Sequence, residues 1–223
     1  MNPRPAPRRI TVVITPTPTL DDAASRAAVL GATAQVFGVA PEALSLGHEP
    51  GGRPVLTGLG DGVQTSLSHG RGVAALAVSG LGPLGVDVEV VRPVAAVDLA
   101  DRWFDEAEAC WLRQRPPHTR HLAFFWLWTH KEALGKAYGT GLGEGGLSRP
   151  GPMPLHWPPR RPEHPRLTPL PHRAGDLGRM APAVVAPLAG PRVVLAVAAL
   201  GPQAWGAPVD IRLCRGPRRR PPG

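Results

Sequence analysis

The chain is poor in several residue types, and each shortage excludes a class of protein. It has two cysteines, Cys110 and Cys214, which lie far apart and form no metal-binding spacing. Neither a disulfide framework nor a zinc motif is therefore expected. The apolar stretch 193–200 is far shorter than the ~20 residues of a membrane-spanning helix, and residues 1–19 carry no recognisable export signal. We expect a soluble, cytoplasmic protein with no membrane partner.

Three common catalytic motifs are also absent. The sequence contains no Gly-x-x-x-x-Gly-Lys-Ser/Thr loop, no Gly-x-Gly-x-x-Gly dinucleotide-binding fingerprint that leads from a predicted strand into a predicted helix, and no Gly-x-Ser-x-Gly elbow. These absences disfavour the common nucleotide-binding folds and the serine hydrolases that use such an elbow.

Lysine is scarce: of the 25 lysine and arginine residues only Lys131 and Lys136 are lysine. In a chain so biased towards arginine, the positions that keep a compact ammonium are candidates for a phosphate contact. Both lysines lie in Trp128-Thr-His-Lys-Glu-Ala-Leu-Gly-Lys136 and bracket Glu132. This segment therefore indicates phosphate chemistry.

The positive charge is confined to the C-terminal third. Residues 1–147 carry 13 basic and 14 acidic side chains, whereas residues 148–223 carry 12 basic and 3 acidic ones. An arginine-rich end attracts nucleic acid through salt-sensitive contacts. We expect a solvated terminus instead, and a nucleic-acid-binding module remains a competing hypothesis.

Hydrophobic periodicity predicts an α+β protein. Strands are predicted at 9–15, 63–67, 143–147 and 192–199, and a hairpin is predicted from 73–79 and 84–91. Helices are predicted at 20–39, 97–112 and 119–138. Residues 148–191 hold 12 of the 29 prolines and predict a long loop with at most one short element. We divide the chain into an N-terminal half (1–95), a C-terminal half (96–200) with a Pro/Arg-rich insertion (148–191), and a basic flexible tail (201–223).

Two carboxylates share one face of the strand Gly85-Val-Asp-Val-Glu89, because side chains alternate along a strand. Asp87 and Glu89 would repel each other unless water or a cation screens them, and oxygen ligands of this kind suit Mg²⁺. The alternative is a solvated face at a sheet edge.

On the helix 119–138, Lys131, Glu132 and Lys136 fall within an arc of about 140° at ~100° per residue. Glu132 and Lys136 could simply form a surface ion pair. Gly135 removes a side chain from the middle of this face, either for a ligand that approaches closely or for tight packing on a neighbouring helix. The turn Ser68-His69-Gly70, with Arg53, could bind a phosphate; taken alone, His69 is better explained as an ordinary surface histidine.

Taken together and in order, four segments resemble the 4′-phosphopantetheinyl transferase superfamily, in its Sfp-type branch. They are Gly52-Arg-Pro54, Leu67-Ser-His-Gly70, Gly85-Val-Asp-Val-Glu89 and the stretch from Phe124 to Leu142.

The resemblance implies two similar α/β halves with coenzyme A and Mg²⁺ in the cleft between them. Asp87, Glu89 and Glu132 match the family's metal ligands, and Lys131 and Lys136 match the lysines near the diphosphate. Arg53, Ser68 and His69 match positions that line the coenzyme site.

The activity implied is transfer of the 4′-phosphopantetheine group of coenzyme A to a serine of an acyl or peptidyl carrier protein of fatty-acid, polyketide or nonribosomal-peptide synthesis. We expect Asp87, Glu89, Glu132 and Lys136 to serve catalysis in a monomeric enzyme. A catalytically silent member that acts as a binding or assembly protein is the alternative.

Overall fold

The structure, a computed structural model, describes residues 9–17, 22–143, 145–154, 156–160, 162–169, 178–185 and 192–214. The fold is α+β, as predicted. Among the described helices, none combines the length and apolar character needed to cross a bilayer.

The helices are α1 (Asp22–Phe37), α2 (Ala96–Trp103), α3 (Glu106–Arg113) and α4 (Arg120–Tyr138). The strands are β1 (Ile10–Pro16), β2 (Ser45–His48), β3 (Pro54–Thr57), β4 (Gln64–Gly70), β5 (Val73–Ser79), β6 (Leu84–Val90), β7 (Thr168–Pro169), β8 (Gly178–Val185), β9 (Val193–Leu200) and β10 (Val209–Leu213).

Two four-stranded sheets, each covered by a helix, carry the site. The first sheet has the order β10-β1-β5-β4 and the second has the order β6-β9-β8-β7, while β2 and β3 form a separate pair. Helix α1 packs on β1 and β5, and helix α4 packs on β6 and β9. The edge strands β4 and β6 lie side by side, so the two sheets meet there.

The main core lies between the two sheets, and strand alternation builds it. In β6, Val86, Val88 and Val90 point into this core, so Asp87 and Glu89 are on the opposite face. In β9, Val194 and Ala196 likewise leave the core between the sheets and pack with residues of α4. The carboxylates are therefore on the face of the second sheet that α4 covers.

The strand pairing differs from the predicted hairpin. Strand β5 pairs with β1 and β4, whereas β6 pairs with β9, so the two strands belong to different sheets. The chain from Gly80 to Pro83 crosses from one sheet to the other. Strand β10 lies within the predicted tail and pairs parallel with β1. Residues 215–223 of that tail lie outside the described residues. The domain boundaries at 95 and 200 stay predictions.

Three further predictions need correction. The helix predicted at 97–112 is two helices, because Asp105 caps α3 in a capping box with Glu108. The strand predicted at 143–147 is wrong, since its described residues form turns. The insertion contains strand β8, eight residues long, and the short strand β7, which is more regular structure than one short element.

Candidate functional site

Two serines join the edge strands β4 and β6. The Ser66 hydroxyl accepts a hydrogen bond from the Val86 amide at 2.9 Å, and the Ser68 hydroxyl accepts one from the Val88 amide at 3.2 Å. Both amides are on the edge of β6 that faces away from β9. Side chains of the first sheet thus satisfy backbone donors that would otherwise be buried and unpaired.

Asp87 is the centre of the candidate site. Its Oδ1 atom accepts hydrogen bonds from the Ser68 hydroxyl and from the Lys136 ammonium, both at 2.7 Å. Lys136 also donates to the Val86 carbonyl at 3.1 Å. Asp87 is only 5% exposed, so the alternative of a solvated strand face does not hold for this residue. Its Oδ2 atom is buried and has no hydrogen-bond partner among the described residues.

A glycine allows α4 to approach β6 closely enough for this contact. A Cβ atom at Gly85 would overlap the Ala133 carbonyl oxygen and crowd the Ala137 amide of α4. The helix backbone therefore lies directly against the strand. Because of this approach, Lys136 can reach Asp87 in the neighbouring strand.

The carboxylates of Glu89 and Glu132 lie close enough to Asp87 to repel its negative charge. Burial is the main cause that raises the pKa of Glu132; Asp87 adds to the rise, Lys136 opposes it, and Glu89 raises the pKa further. Burial also raises the pKa of Glu89, against a hydrogen bond of 2.7 Å from Arg92, while Asp87 adds to the rise. Two of the three acidic groups are paired with a cation, Asp87 with Lys136 and Glu89 with Arg92, both at 2.7 Å.

The residues present fit a divalent cation in donor chemistry. Carboxylate oxygens are the ligands that Mg²⁺ prefers, and Asp87 Oδ2 is a buried acceptor for which the described part of the chain supplies no donor. Within the described part of the chain, however, no three acidic, histidine or cysteine side chains are grouped closely enough to hold a metal ion. The predicted metal set of Asp87, Glu89 and Glu132 therefore stays a prediction.

A cavity of about 430 Å³ opens beside Lys136. Strands β3 and β4 line one side of it, and the end of α4 lines the other. Arg53 lies in this cavity: its Nη2 donates to the Ala137 carbonyl at 3.3 Å, and its buried Nη1 has no partner among the described residues. A guanidinium with a free N–H and the Lys136 ammonium make the cavity suited to an anion.

Gly135 allows close packing of the backbone that follows α4. The Gly141 carbonyl occupies the space of a Cβ atom at this position, and the Gly135 carbonyl accepts amide hydrogen bonds from Gly139, Thr140 and Gly141. The close neighbour is the turn that follows α4, not another helix. Gly139 has a φ of 81° and ends α4 in the left-handed conformation, as predicted.

Lys131 is not brought together with Lys136. Its ammonium forms an ion pair of 2.6 Å with Glu108 of α3, and the two side chains are 1% and 2% exposed. It also donates to the Arg149 carbonyl and lies 5.0 Å from the centre of the Phe104 ring. The expectation of a single face that Lys131 shares with Glu132 and Lys136 is therefore wrong. His69 is exposed at the end of β4.

Sequence reasoning missed Ser66, Gly85 as a packing residue, Arg92 and Glu108. Ser66 and Ser68 are two positions apart on one strand, and this alternation was a usable signal. Glu108 forms a capping box with Asp105, and the Asp-x-x-Glu spacing was visible in the sequence. Nothing local in the sequence indicates that Glu108 meets Lys131.

Comparison with known proteins identifies the family. Residues 83–170 match the family model of the 4′-phosphopantetheinyl transferase superfamily. The 4′-phosphopantetheinyl transferase HetI of Nostoc sp. is 36% identical over 112 residues, which are 48% of this chain and 46% of the relative. A 4′-phosphopantetheinyl transferase of Bacillus subtilis is 32% identical over 111 residues, 50% of this chain and 48% of the relative. The chain thus spans about half the length of these curated relatives.

Residues 83–170 therefore match the 4′-phosphopantetheinyl transferase superfamily, as the resemblance predicted. The relatives of the chain place it in the Sfp-type branch. The match includes β6, α4 and the first part of the predicted insertion.

Proposed function

We propose that this protein transfers the 4′-phosphopantetheine group of coenzyme A to a serine hydroxyl of an acyl or peptidyl carrier protein, with release of 3′,5′-adenosine bisphosphate. One observation carries the proposal: the Ser68 hydroxyl and the Lys136 ammonium meet on one oxygen of Asp87, while the second oxygen is buried and has no partner among the described residues. Asp87 and Lys136 lie in the segment that matches the family, whereas Ser68 precedes it.

In this proposal, coenzyme A occupies a cleft between the two halves of the chain. The cavity beside Lys136 offers two cationic groups, Arg53 and Lys136, to the negative diphosphate. Ser68 and His69 lie on the adjoining strand β4. Arg53, Ser68, His69 and Lys136 are the residues that we assign to the coenzyme site; Lys131 leaves this set because its ion pair with Glu108 is buried elsewhere.

Asp87, Glu89 and Glu132 would hold Mg²⁺, which when bound neutralises diphosphate charge. The remaining chemistry falls to the chain. Lys136 donates a hydrogen bond to an oxygen on which negative charge develops as the bond to the leaving phosphate breaks. The carrier serine loses its proton to Glu132 or to a water molecule held by this cluster of carboxylates.

Mass spectrometry of a carrier protein tests the proposal. The carrier protein is incubated with coenzyme A, Mg²⁺ and either the wild-type protein, Asp87→Ala or Asp61→Ala. Asp61 is an exposed aspartate in a turn and serves as the matched control. We expect the mass gain of one phosphopantetheine group with wild type and Asp61→Ala and none with Asp87→Ala.

The outcomes separate the hypotheses. A folded wild-type protein that modifies no carrier protein favours the silent binding protein. Full activity of Asp87→Ala contradicts the assigned site. Urea unfolding of each variant, compared with wild type, shows whether a loss of activity reflects a loss of fold.

A further inference from the structure

A second and larger cavity, of about 1110 Å³, lies between α4 and the segment 152–168. Cavities that bind small ligands usually measure ~300–1,000 Å³, so this one has room for a substantial molecule. It shares no lining residue with the cavity beside Lys136. The candidate active site therefore does not account for it.

Two tryptophan rings form part of its wall and are fixed in place. The Trp126 indole N–H donates to the Pro152 carbonyl at 3.1 Å, and the Trp157 indole N–H donates to the Thr119 hydroxyl at 3.1 Å. The Trp157 ring also packs edge-on against Trp111, with centroids 5.1 Å apart. Because both N–H groups are used, neither ring has a free donor among the described contacts. Trp126 is only 3% exposed, so the half-buried Trp157 supplies most of the aromatic surface.

The polar part of the wall is cationic. Arg160 and Arg166 line the cavity together with two histidines, and none of the described lining residues is an aspartate or glutamate. Both arginines are exposed, and within the described residues neither takes part in a salt bridge. One N–H of Arg166 donates to the Gly206 carbonyl at 2.9 Å, which leaves the other donors of that guanidinium available. Apolar walls beside uncompensated positive charge favour a ligand that is apolar with a negative head.

We propose that this cavity, where the Trp126 and Trp157 rings adjoin Arg160 and Arg166, binds an amphipathic organic anion. The ligand class is a carboxylate, sulfonate or phosphate attached to an apolar body, which is either a flat ring system or an alkyl chain. The head contacts the arginines and the body packs on the tryptophans, prolines and Met153. The site is separate from the one proposed for coenzyme A.

Calorimetric and fluorescence titration with anilinonaphthalene sulfonate tests the charge of the ligand. We expect saturable binding at one site. N-phenylnaphthylamine, which has nearly the same rings without the sulfonate, should bind about tenfold more weakly because the arginines gain no partner. Equal affinity for the two probes overturns the proposal, as does an absence of saturable binding. Competition with laurate then distinguishes the two kinds of apolar body. If laurate displaces the probe, the body is an alkyl chain; if it does not, the body is a flat ring system.

Variants locate the binding. Arg160→Gln combined with Arg166→Gln should raise the dissociation constant of the sulfonate about tenfold, and Met153→Gln should also weaken binding. Arg102→Gln, an exposed arginine of α2, is the matched control and should change nothing. An unchanged affinity in the double variant overturns the proposal.

Coenzyme A separates the two sites. Saturating coenzyme A should leave binding of the sulfonate unchanged, and so should Lys136→Gln even if it abolishes transfer. Displacement of the probe by coenzyme A would place it in the other cavity and overturn this inference without touching the proposed function. A wild-type protein that binds the probe but transfers nothing would contradict the proposed function and leave this inference intact.

Discussion

The ion pair between Glu108 and Lys131 allows a sharp test of where Lys131 acts. Its atoms are 2.6 Å apart, and both side chains are almost completely buried. Glu108 also accepts the Gly151 amide at 2.6 Å and the Asp105 amide at 3.2 Å. The pair therefore ties α3 and α4 to the segment that follows residue 149, away from the candidate site.

Removal of one partner should be costly, because the other charge stays buried. Burial lowers the pKa of Lys131 and raises the pKa of Glu108, and the attraction between the two groups opposes both shifts. Breaking a buried pair in this way typically costs about 3–5 kcal/mol. We expect losses of this size for Glu108→Gln and for Lys131→Met. In the double variant no charge is left unpaired, and the glutamine still offers an acceptor to the Gly151 amide.

The double variant should therefore be far more stable than the sum of the single losses predicts. Urea unfolding of all four proteins, followed by circular dichroism, gives a coupling free energy that we expect to be about 3 kcal/mol. Additive losses would refute the reasoning. The double variant should also keep the Michaelis constant for coenzyme A, whereas Lys136→Met should raise it. A folded double variant with the same defect as Lys136→Met would return Lys131 to the phosphate site.

Two further predictions follow from close packing and from burial. Gly85→Ala should cost about 1–3 kcal/mol and lower kcat/KM for carrier modification, since the added methyl group pushes β6 away from α4. Gly31→Ala, in α1 with no described atom within 4 Å of the added carbon, is its control and should stabilise by up to about 1 kcal/mol; equal effects of the two would contradict the packing argument. Burial lowers the pKa of His130 to about 4, so the unfolded chain takes up a proton below pH 6.5 that the folded chain takes up only near pH 4. The free energy of unfolding should therefore fall by about 3 kcal/mol more in wild type than in His130→Gln between these pH values, as measured by urea titrations; parallel pH profiles would refute it.

The local structure of the site was predictable because it depends on short-range periodicity. Alternation in Gly85-Val-Asp-Val-Glu89 predicted that Asp87 and Glu89 share a face opposite three valines, and β6 has this arrangement. The helix predicted at 119–138 is α4. Ordered motifs from both segments also predicted the family, because a family resemblance is itself local in sequence.

Strand partners were not predictable in the same way. An apolar strand, a four-residue connection and a second apolar strand have the same local sequence whether the strands pair or enter two sheets. The two cases differ in contacts with residues that are distant in the sequence. β9 pairs with one edge of β6, and the hydroxyls of Ser66 and Ser68 accept hydrogen bonds from amides on the other edge. β10 similarly becomes a strand only because β1 has a free edge for it.

The two lysines contact different parts of the fold for a geometric reason. Neighbouring helix positions are ~100° apart, so an arc of 140° that includes Lys131, Glu132 and Lys136 is wide enough to face two surroundings. Lys136 faces β6, and Lys131 faces α3. Both positions still favour lysine over arginine, because each ammonium contacts a backbone carbonyl and one carboxylate oxygen in a confined space where a planar guanidinium would not fit the same acceptors. Scarcity of lysine thus identified two sites that need a compact cation, and the packing of α4 decides that the partner is Glu108 at one of them and Asp87 at the other.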